Sequence, residues 1–410
     1  MATNCAGFVS AVILPGMNAV SPSRANVPAS VGIVGAGQLA RMMIGAAIPL
    51  DIHVVLLAER ADDSAAQICP DVLVGSPDDP ALLRELAERV EVVTFDHELV
   101  DPVLVAALEE AGVAVQPSAA TMALAQNKRR QRAELAELGV PAPAFWNVDV
   151  VDDLLGFGEE QGWPVVAKAS RGGYDGRGVW TLDDADAARR LWEGTRAAEV
   201  ELLVETWLPL EKELAVLLAR RPNGETAVYP TVETVQRGGI CRELRVPAAV
   251  APDVAAAAQH HAVTIAEAID AVGILAVEFF VADGRLLVNE LAPRPHNSGH
   301  WTIEGAITSQ FEQHLRAVLD WPLGSTALTG DAVATVNVLG PADGSGPWER
   351  IGAALAVRGV HLHSYGKAAR PGRKLGHVTC VADTLEGAVN TARDAGFRLM
   401  GEPYAHEEST

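Results

Sequence analysis

Two glutamates, Glu278 and Glu290, each stand among apolar residues in the sequence. A carboxylate in such surroundings is costly unless a cation pairs with it. A tight turn is expected at Gly284 between the two apolar segments, so the carboxylates would lie opposite or diagonal to each other, depending on the register. Two facing carboxylates repel unless one is protonated or both share a cation. Because Mg²⁺ prefers one or two carboxylates together with substrate phosphates, the pair predicts a magnesium site, against the alternative of two solvated glutamates.

A glycine-rich segment at 172–178 follows Lys168, which lies on a predicted strand. Its four glycines in seven residues let successive N–H groups converge on an anion. Lys168 can place a positive charge against a phosphate, and Arg171 and Arg177 add positive charge to an acidic chain. A surface hairpin is the alternative, but hairpins seldom need so many glycines beside cations, so we predict a phosphate-binding loop.

A second glycine pattern, Gly35-x-Gly37, follows a predicted strand and opens a predicted helix, with Ala40 in the third position. This arrangement matches the dinucleotide-binding fingerprint, and Glu59 lies near the position of a ribose-binding acid. The pattern alone is equally compatible with phosphate binding and with a plain strand-to-helix turn. The sequence up to this point therefore also allows an NAD-dependent oxidoreductase as an alternative function.

Two polar segments carry further candidates. Arg294 suits a carboxylate or a phosphate, and His296 could donate, accept or shuttle a proton; a capping or core role is the alternative for His296 and the preferred interpretation for His300. The segment 367–374 contains four cations in eight residues. In isolation it would be a solvated basic loop, but beside the anionic pockets inferred above it predicts a site for a substrate phosphate.

The composition limits the class of protein. With 410 residues, two or three domains are expected, and a hydrophobic content of 49% supports a large core. A net charge of −21 repels polyanions, so nucleic acid and anionic membranes are excluded as partners. The four cysteines are far apart, which favours a reducing cytoplasm over a disulfide framework or zinc site. Residues 1–30 lack the basic start of a signal peptide and are predicted to be a flexible extension.

The elements that must position these residues begin with alternating strands and helices over 31–117. Such alternation predicts a parallel sheet covered on both faces. The strands are predicted at 31–34, 53–57, 72–74, 92–95 and 113–115, and the helices at about 38–47, 80–89 and 102–111.

The rest of the chain mixes strands and helices. One helix is expected over 119–138, and a hairpin pairs 274–281 with 286–291. Residues 332–400 are expected to form a smaller mixed domain. Further strands are predicted at 165–168, 179–181, 201–205, 213–219 and 227–232, and further helices at 183–192, 251–271 and 307–319.

A strand lysine before a glycine-rich loop, followed by a strand-borne acid and a paired Glu…Asn-Glu hairpin, resembles the ATP-grasp family. Within that family, the strings at 172–178, 289–294, 296–300 and 370–374 are similar to those of the 5-(carboxyamino)imidazole ribonucleotide synthetases. The resemblance covers about 31–397. It implies a fold of α/β and α+β class, namely an ATP-grasp fold with an N-terminal Rossmann-like parallel-sheet domain and a small C-terminal domain.

The domain limits expected from the resemblance are a flexible extension at 1–30, a Rossmann-like substrate-binding domain at 31–120, an ATP-grasp domain at 121–320 and a mixed α/β domain at 321–410. A lid subdomain is expected at about 145–207.

The resemblance also implies an activity. The enzyme would be an ATP-dependent carbon–nitrogen ligase that carboxylates the 5-amino group of 5-aminoimidazole ribonucleotide with bicarbonate, through carboxyphosphate, in purine biosynthesis. It implies ATP and Mg²⁺ as cofactors, with Mn²⁺ as a substitute, and a cytoplasmic homodimer acting on small molecules. The turn at Gly37 would then hold the ribonucleotide, not a nicotinamide cofactor.

The family's site residues fall on identifiable positions of this chain. The resemblance assigns magnesium to Glu278 and Glu290, and catalytic roles to Asp175, Arg294, His296 and Lys367. It assigns ATP contacts to Lys128, Lys168, Gly172, Gly173, Tyr174, Asp175, Gly176, Arg177, Gly178, Glu205, Leu208, Glu213, Gln236, Asn289 and Glu290, and substrate contacts to Gly37, Gln38, Tyr174, Asn297, Arg373 and Lys374.

The chain departs from the family pattern at a few of these positions. Lys128 stands where an arginine is frequent, Gln236 where a histidine is common, and Ala40 where a glycine is frequent. Glu98 is a further substrate candidate in a loosely matched segment. Three other functions are weighed: a formate-using glycinamide ribonucleotide ligase, the NAD-dependent oxidoreductase, and a non-catalytic nucleotide-binding subunit, which would be expected to have lost its metal ligands.

Overall fold

The computed structural model describes residues 28–172 and 178–401. Its first unit is a parallel sheet with strand order β3-β2-β1-β4. The inner strands are almost wholly buried, as expected for a parallel sheet with helices on both faces. The unit comprises β1 (Ser30–Val34), α1 (Gln38–Ala47), β2 (His53–Ala58), β3 (Val72–Val74), α2 (Pro80–Glu88), β4 (Val92–Phe95) and α3 (Pro102–Glu110).

The predicted strand at 113–115 is wrong as a full strand, because it is reduced to an isolated parallel bridge between Val93 and Val115. The predicted single helix over 119–138 is also wrong. It forms two helices, α4 (Ala119–Gln126) and α5 (Lys128–Glu137), which are separated by an extended Asn127. The Asn127 side chain accepts a hydrogen bond from the Arg130 N–H at 3.1 Å, so a short polar side chain restarts the helix as its N-cap.

A small antiparallel sheet with strand order β5-β8-β6-β7 follows. Two helices pack on one face of it around Leu154 and Phe157, and the glycine-rich segment lies between β6 and β7. Its elements are β5 (Phe145–Val148), α6 (Val151–Gln161), β6 (Val165–Ala169), β7 (Val179–Leu182), α7 (Ala185–Ala197) and β8 (Leu202–Thr206).

The largest sheet is antiparallel, with order β14-β13-β9-β11-β12-β15-β17-β16 and with β10 paired to β9. Its strands are β9 (Leu210–Arg220), β10 (Thr226–Val228), β11 (Val232–Arg237), β12 (Ile240–Val246), β13 (Gly273–Ala282), β14 (Arg285–Ala292), β15 (Ala332–Leu339), β16 (Val360–Ser364) and β17 (Lys374–Ala382). Its helices are α8 (Pro252–Ala268), α9 (Thr302–Gly305), α10 (Gln310–Val318), α11 (Ile351–Leu355) and α12 (Leu385–Met400).

One detail of this sheet differs from the sequence prediction, and another concerns how the C-terminal strands join it. The single strand expected at 227–232 is wrong, because β10 ends at Val228 and β11 begins at Val232 on either side of Pro230, which has no N–H to donate. The residues at 332–400 do not build a sheet of their own: β15 pairs with β12, so the C-terminal strands extend the sheet that carries Glu278 and Glu290.

In the part of the chain that the structure describes, no helix combines the length and the apolar character that crossing a membrane requires.

Candidate active site

A cleft of about 1200 Å³ collects side chains from all three parts of the fold. The N-terminal unit contributes the turn after β1 and the end of β4, the small sheet contributes β6, and the large sheet contributes β9, β11, β13 and β14. Of the predicted site residues, the cleft is lined by Gly37, Gln38, Lys128, Lys168, Glu213, Gln236, Glu278, Asn289, Glu290, Arg294, His296, Asn297, Lys367, Arg373 and Lys374.

Other predicted residues do not line this cleft. Gly172 is exposed and both Gly172 and Gly178 adopt positive φ, at 75° and 72°. Leu208 lies in the segment that connects β8 to β9, and Glu205 is buried on β8. The predicted loop residues Gly173, Tyr174, Asp175, Gly176 and Arg177 lie outside the described residues.

The two strand glutamates face each other. The register pairs Glu278 on β13 directly with Glu290 on β14. A β-bulge follows, because Phe279 pairs with Val288 and Asn289 has no residue opposite it on β13. This settles the choice between opposite and diagonal that the sequence left open. The pKa of Glu278 is raised to about 7, first by burial and then by the charges of Glu290 and Glu213. Two carboxylates in this arrangement attract a cation.

Cations and amides surround this pair. The Lys128 ammonium forms an ion pair with Glu290, and the Asn289 amide donates to Glu278 at 3.4 Å. Among the described residues, no group of three or more His, Cys, Asp or Glu side chains could hold a metal ion by itself. The pair therefore fits an ion whose remaining ligands come from substrate phosphates and water, as Mg²⁺ prefers.

Lys168 belongs to a buried charge network that the sequence did not predict. Its ammonium lies 2.6 Å from one oxygen of Glu205, and the Arg132 guanidinium donates to the other at 2.6 Å. Burial acts to raise the pKa of Glu205, but the charges of Lys168 and Arg132 outweigh it and hold that pKa at about 2. Arg132 also donates to the backbone carbonyl of Asn289 at 2.7 Å, so it ties α5 to both β8 and β14.

Each carboxylate oxygen of Glu205 already has a cationic partner in the protein, and this matters for its predicted contact with ATP. The sequence places Glu205 at a strand end and gives no sign of Arg132, which is 73 residues away along the chain. The contact with adenine or ribose stays a prediction. Glu213 lines the cleft on β9, and burial raises its pKa to about 7 against the opposing charge of Lys168.

The turn at Gly35-Ala36-Gly37 is built around Asp96, which follows β4. The Gly37 N–H donates to the Asp96 carboxylate at 2.5 Å, and Asp96 is 6% exposed. At Gly35, φ is +97° and a Cβ atom would lie 1.9 Å from Asp96 Oδ1, so the position requires glycine. Sequence reasoning missed Asp96, although adjacent parallel strands bring their carboxyl ends to one sheet edge, and that rule offered a signal.

Arg294 is held by Glu98, the loosely matched candidate. The guanidinium makes two hydrogen bonds to this carboxylate, one of them at 2.9 Å from Nη2 to Oε1. Burial opposes ionisation of Glu98, but the charge and hydrogen bonds of Arg294 lower its pKa to about 2. The pair joins the loop after β14 to the end of β4, so it closes one wall of the cleft.

His296 lies beside Glu278, one of the two facing glutamates. Its Nε2 is 3.6 Å from Glu278 Oε1, and its Nδ1 is 2.8 Å from the Ser298 hydroxyl. Burial, followed by the charges of Arg294 and Lys374, lowers the pKa of His296 to about 3. The imidazole is therefore neutral at physiological pH.

The basic loop at 367–374 closes the cleft opposite the β14 loop. The Lys367 ammonium donates to the side-chain oxygen of Gln38, at the start of α1. The loop is anchored to the N-terminal unit by the Ser64 hydroxyl, which donates to Tyr365 O at 2.5 Å, and by the Gln67 amide, which donates to Gly366 O at 2.9 Å. The turn at Gly37 and the basic loop thus form one continuous wall.

Three consecutive parts of the chain match known domain families. The ribonucleotide synthetase preATP-grasp domain matches residues 29–126, the ATP-grasp domain matches 133–311, and the phosphoribosylaminoimidazole carboxylase C-terminal domain matches 334–391. With a lysine and two facing glutamates at one cleft, the fold and the site define an ATP-grasp enzyme.

Proteins that are similar to this chain over most of its length identify the family within the ATP-grasp enzymes. The N5-carboxyaminoimidazole ribonucleotide synthase of Mycobacterium tuberculosis H37Rv is 46% identical over 372 residues, which cover 88% of this chain and 87% of the relative. That of Corynebacterium ammoniagenes is 41% identical over 394 residues, covering 93% and 95%. The chain belongs to the N5-carboxyaminoimidazole ribonucleotide synthase family. It is an ATP-grasp ligase, as the sequence predicted.

Solved structures agree with this assignment. The Thermus thermophilus synthetase superposes with a TM-score of 0.81 at 37% identity, covering 93% of this chain and all of that one (100%). The Aspergillus clavatus synthase in complex with ADP and 5-aminoimidazole ribonucleotide gives 0.82 at 31% identity, covering 91% and 98%. The predicted fold class is confirmed, and the glycine turn belongs to a ribonucleotide synthetase instead of an oxidoreductase.

Proposed function

We propose that this enzyme uses ATP to carboxylate the 5-amino group of 5-aminoimidazole ribonucleotide with bicarbonate, releasing ADP and phosphate. The observation that carries the proposal is the single cleft in which Lys168 and the Glu278–Glu290 pair adjoin Arg294, His296 and the basic loop. A phosphoryl donor and an anionic ribonucleotide can meet in such a cleft. The function named for the relatives supports the same reaction.

The reaction has two steps. An oxygen of bicarbonate attacks the γ-phosphorus of ATP, the bond from that phosphorus to the β-phosphate oxygen breaks, and carboxyphosphate and ADP form. The amine then attacks the carbon of carboxyphosphate as phosphate leaves, or the carbon of CO2 after carboxyphosphate has released CO2 and phosphate. In either case a carbon–nitrogen bond forms and the amine loses a proton. The first step is needed because bicarbonate is anionic and would otherwise have to expel hydroxide. The protein's task is to position the reactants and neutralise charge.

The nucleotide side of the cleft fits ATP. Lys168 and Lys128 supply positive charge for the phosphates, and Val179, Leu210 and Phe280 supply apolar walls for a base. Glu278 and Glu290 would hold Mg²⁺, or Mn²⁺ in its place, with the phosphates completing the shell. When bound, such an ion neutralises phosphate charge during phosphoryl transfer.

The substrate side fits the ribonucleotide and bicarbonate. Gly37, Gln38, Asn297, Arg373 and Lys374 line the cleft, and they are proposed to contact the ribonucleotide. Lys367 and Arg294 would hold bicarbonate or the departing phosphate. His296, and Asp175 of the glycine-rich segment, are the residues proposed to handle the amine proton. Tyr174 is proposed to contact the substrate from the same segment.

An ADP-release assay tests the proposal. With Mg²⁺ present, we expect ADP formation that requires both 5-aminoimidazole ribonucleotide and bicarbonate. Formate with glycinamide ribonucleotide should give none. ADP release that ignores the ribonucleotide, or that responds to formate and glycinamide ribonucleotide, would overturn the assignment.

We also propose that the enzyme works as a cytoplasmic homodimer, which the family resemblance supports. Sedimentation velocity at micromolar concentration should give one species of twice the chain mass of 43.1 kDa. A monomer under assay conditions would contradict this part of the proposal.

A further inference from the structure

One buried side chain forms hydrogen bonds to the main chain of the loop that carries His296. Gln310, the first residue of α10, is fully buried and its amide faces the main chain of His296. Its Oε1 accepts from the His296 N–H at 2.9 Å, and its Nε2 donates to the His296 carbonyl at 2.7 Å. Both backbone groups of a single site residue are thus bound by one amide.

The loop is packed too tightly to relax away from this contact. A Cβ atom at Gly299 would lie 2.4 Å from Gln310 Oε1 and 2.4 Å from Leu217 Cδ2. The Thr302 hydroxyl donates to Gly299 O at 2.6 Å and accepts from the Gln310 N–H at 2.9 Å. The loop and the helix start therefore form one hydrogen-bonded unit.

Helix α10 is itself anchored to both halves of the cleft. One ring nitrogen of buried His314 lies 2.8 Å from the Thr94 hydroxyl on β4, and the other accepts from the Ile274 N–H on β13 at 3.1 Å. Phe311 and Leu315 pack against α1, which begins at Gln38 in the substrate wall. The helix thus relates the loop to the turn at Gly37 and to β13, which carries Glu278.

We propose that Gln310 is a positioning residue of the reaction: its amide fixes the main chain of His296 and so sets the imidazole between Glu278 and Ser298. The inference rests on the proposed function of His296 for its catalytic consequence. The general reason is that misplacing a reacting group by about 1 Å can cost roughly 100-fold in rate.

The same helix provides a matched control. Gln313 is also fully buried, and its amide makes the same two bonds to a backbone, donating to Gly324 O at 2.7 Å and accepting from Gly324 N at 2.8 Å. Gly324 does not line the cleft. Replacing Gln313 thus removes the same kind of contact from the same helix, away from the site.

The experiment compares Gln310→Met with Gln313→Met, because methionine keeps the length of the side chain and removes both hydrogen bonds. We expect similar losses in Tm. Only Gln310→Met should lose kcat/KM for the ribonucleotide, by about 10- to 100-fold, while KM for ATP changes little. Gln310→Glu keeps the acceptor for the His296 N–H, should be intermediate, and serves if the methionine variant does not fold. Equal kcat/KM in Gln310→Met and Gln313→Met would overturn the inference.

A second readout separates this inference from the proposed function. The ring NMR signal that disappears in His296→Asn should shift in Gln310→Met and stay in place in Gln313→Met. If the wild-type protein shows no ribonucleotide-dependent ADP release, the proposed function fails, and the NMR comparison still decides the inference. An unmoved His296 signal in Gln310→Met overturns it.

Discussion

At the scale of single residues, the site is built from charges that are unfavourable alone. Glu278 and Glu290 face each other across paired strands, and the pKa of Glu278 is raised to about 7 by burial and by the neighbouring carboxylates. The buried carboxylate of Glu205, by contrast, is offset by the positive charges of Lys168 and Arg132. Such sites are organised for a ligand rather than for stability.

Glu290→Gln should abolish turnover while the protein stays folded. The change removes a proposed metal ligand and also relieves the repulsion with Glu278, so we expect a loss in kcat on the order of 100-fold or more and little change in Tm. The control is Glu211→Gln, an exposed position on β9 outside the cleft, which should retain full activity. ADP-release kinetics and thermal unfolding measure both; near-normal turnover of Glu290→Gln would rule out the metal role.

Glu98→Gln should lower stability in a pH-dependent way. The pKa of Glu98 is about 2 in the folded protein, below its ordinary value of 4.5, so its ionised form stabilises the fold above pH 4.5 and that contribution is lost as the pH falls towards 2. At neutral pH we expect the variant to be less stable by about 3 kcal/mol, with the difference shrinking between pH 4.5 and 3. Urea unfolding across this range measures it, and a difference that is constant with pH would contradict the account.

At the scale of elements, the turn from β1 into α1 depends on close contact with Asp96. Gly35→Ala should destabilise the protein by about 1–3 kcal/mol, because the position has φ of +97° and its Cβ would meet the Asp96 carboxylate. It should also raise KM for the ribonucleotide. Gly45→Ala on α1 is the control: that glycine is exposed and its Cβ would meet nothing within 4 Å, so a gain of about 0.5–1 kcal/mol is expected.

Urea unfolding and substrate titration of both glycine variants test this. A Gly35→Ala protein as stable as the wild type would show that the turn has room for a side chain.

At the scale of the whole molecule, the C-terminal strands continue the sheet that carries Glu278 and Glu290. The junction between β12 and β15 is reinforced by Glu243, which is 1% exposed and accepts two hydrogen bonds from Arg393 on α12, at 2.7 and 3.0 Å. Arg245 donates to the same carboxylate at 2.8 Å. A shared sheet and a buried charge pair predict that these parts unfold together.

Arg393→Met should lower the free energy of unfolding by about 3 kcal/mol, because it takes a partner from a buried carboxylate. Arg398→Met on the same helix removes an exposed pair with Asp394 and should cost less than about 1 kcal/mol. Chemical unfolding followed by tryptophan fluorescence and by circular dichroism should give one coincident transition. Two separate transitions would show that the C-terminal part unfolds independently.

Local patterns in the sequence predicted most elements to within a few residues. They failed at Asn127, which caps a second helix, at Pro230, which interrupts a strand, and at 113–115, which forms only an isolated bridge. They also gave no prediction for β5, α6 and β12. The domain limits expected at about 120 and 320 stay a prediction. The pairing of β12 with β15 was not predictable, since strands can pair across any separation in the chain.

The sequence alone determined the family and predicted the chemistry of the site, because residue types suited to phosphate, magnesium and carboxylate occur in recognisable local strings. Only the tertiary structure decided which groups hold them in place. Arg132 reaches Glu205 over 73 residues, Lys367 reaches Gln38 over 329, and Gln310 binds His296 from a different element. The local sequence around a side chain indicates what that side chain can bind. Its partners within the protein depend on how distant segments pack. The relative position of Glu278 and Glu290 depended on both the sequence and the tertiary structure. The turn at Gly284 predicted the hairpin, and the register of the folded strands placed the two carboxylates directly opposite each other.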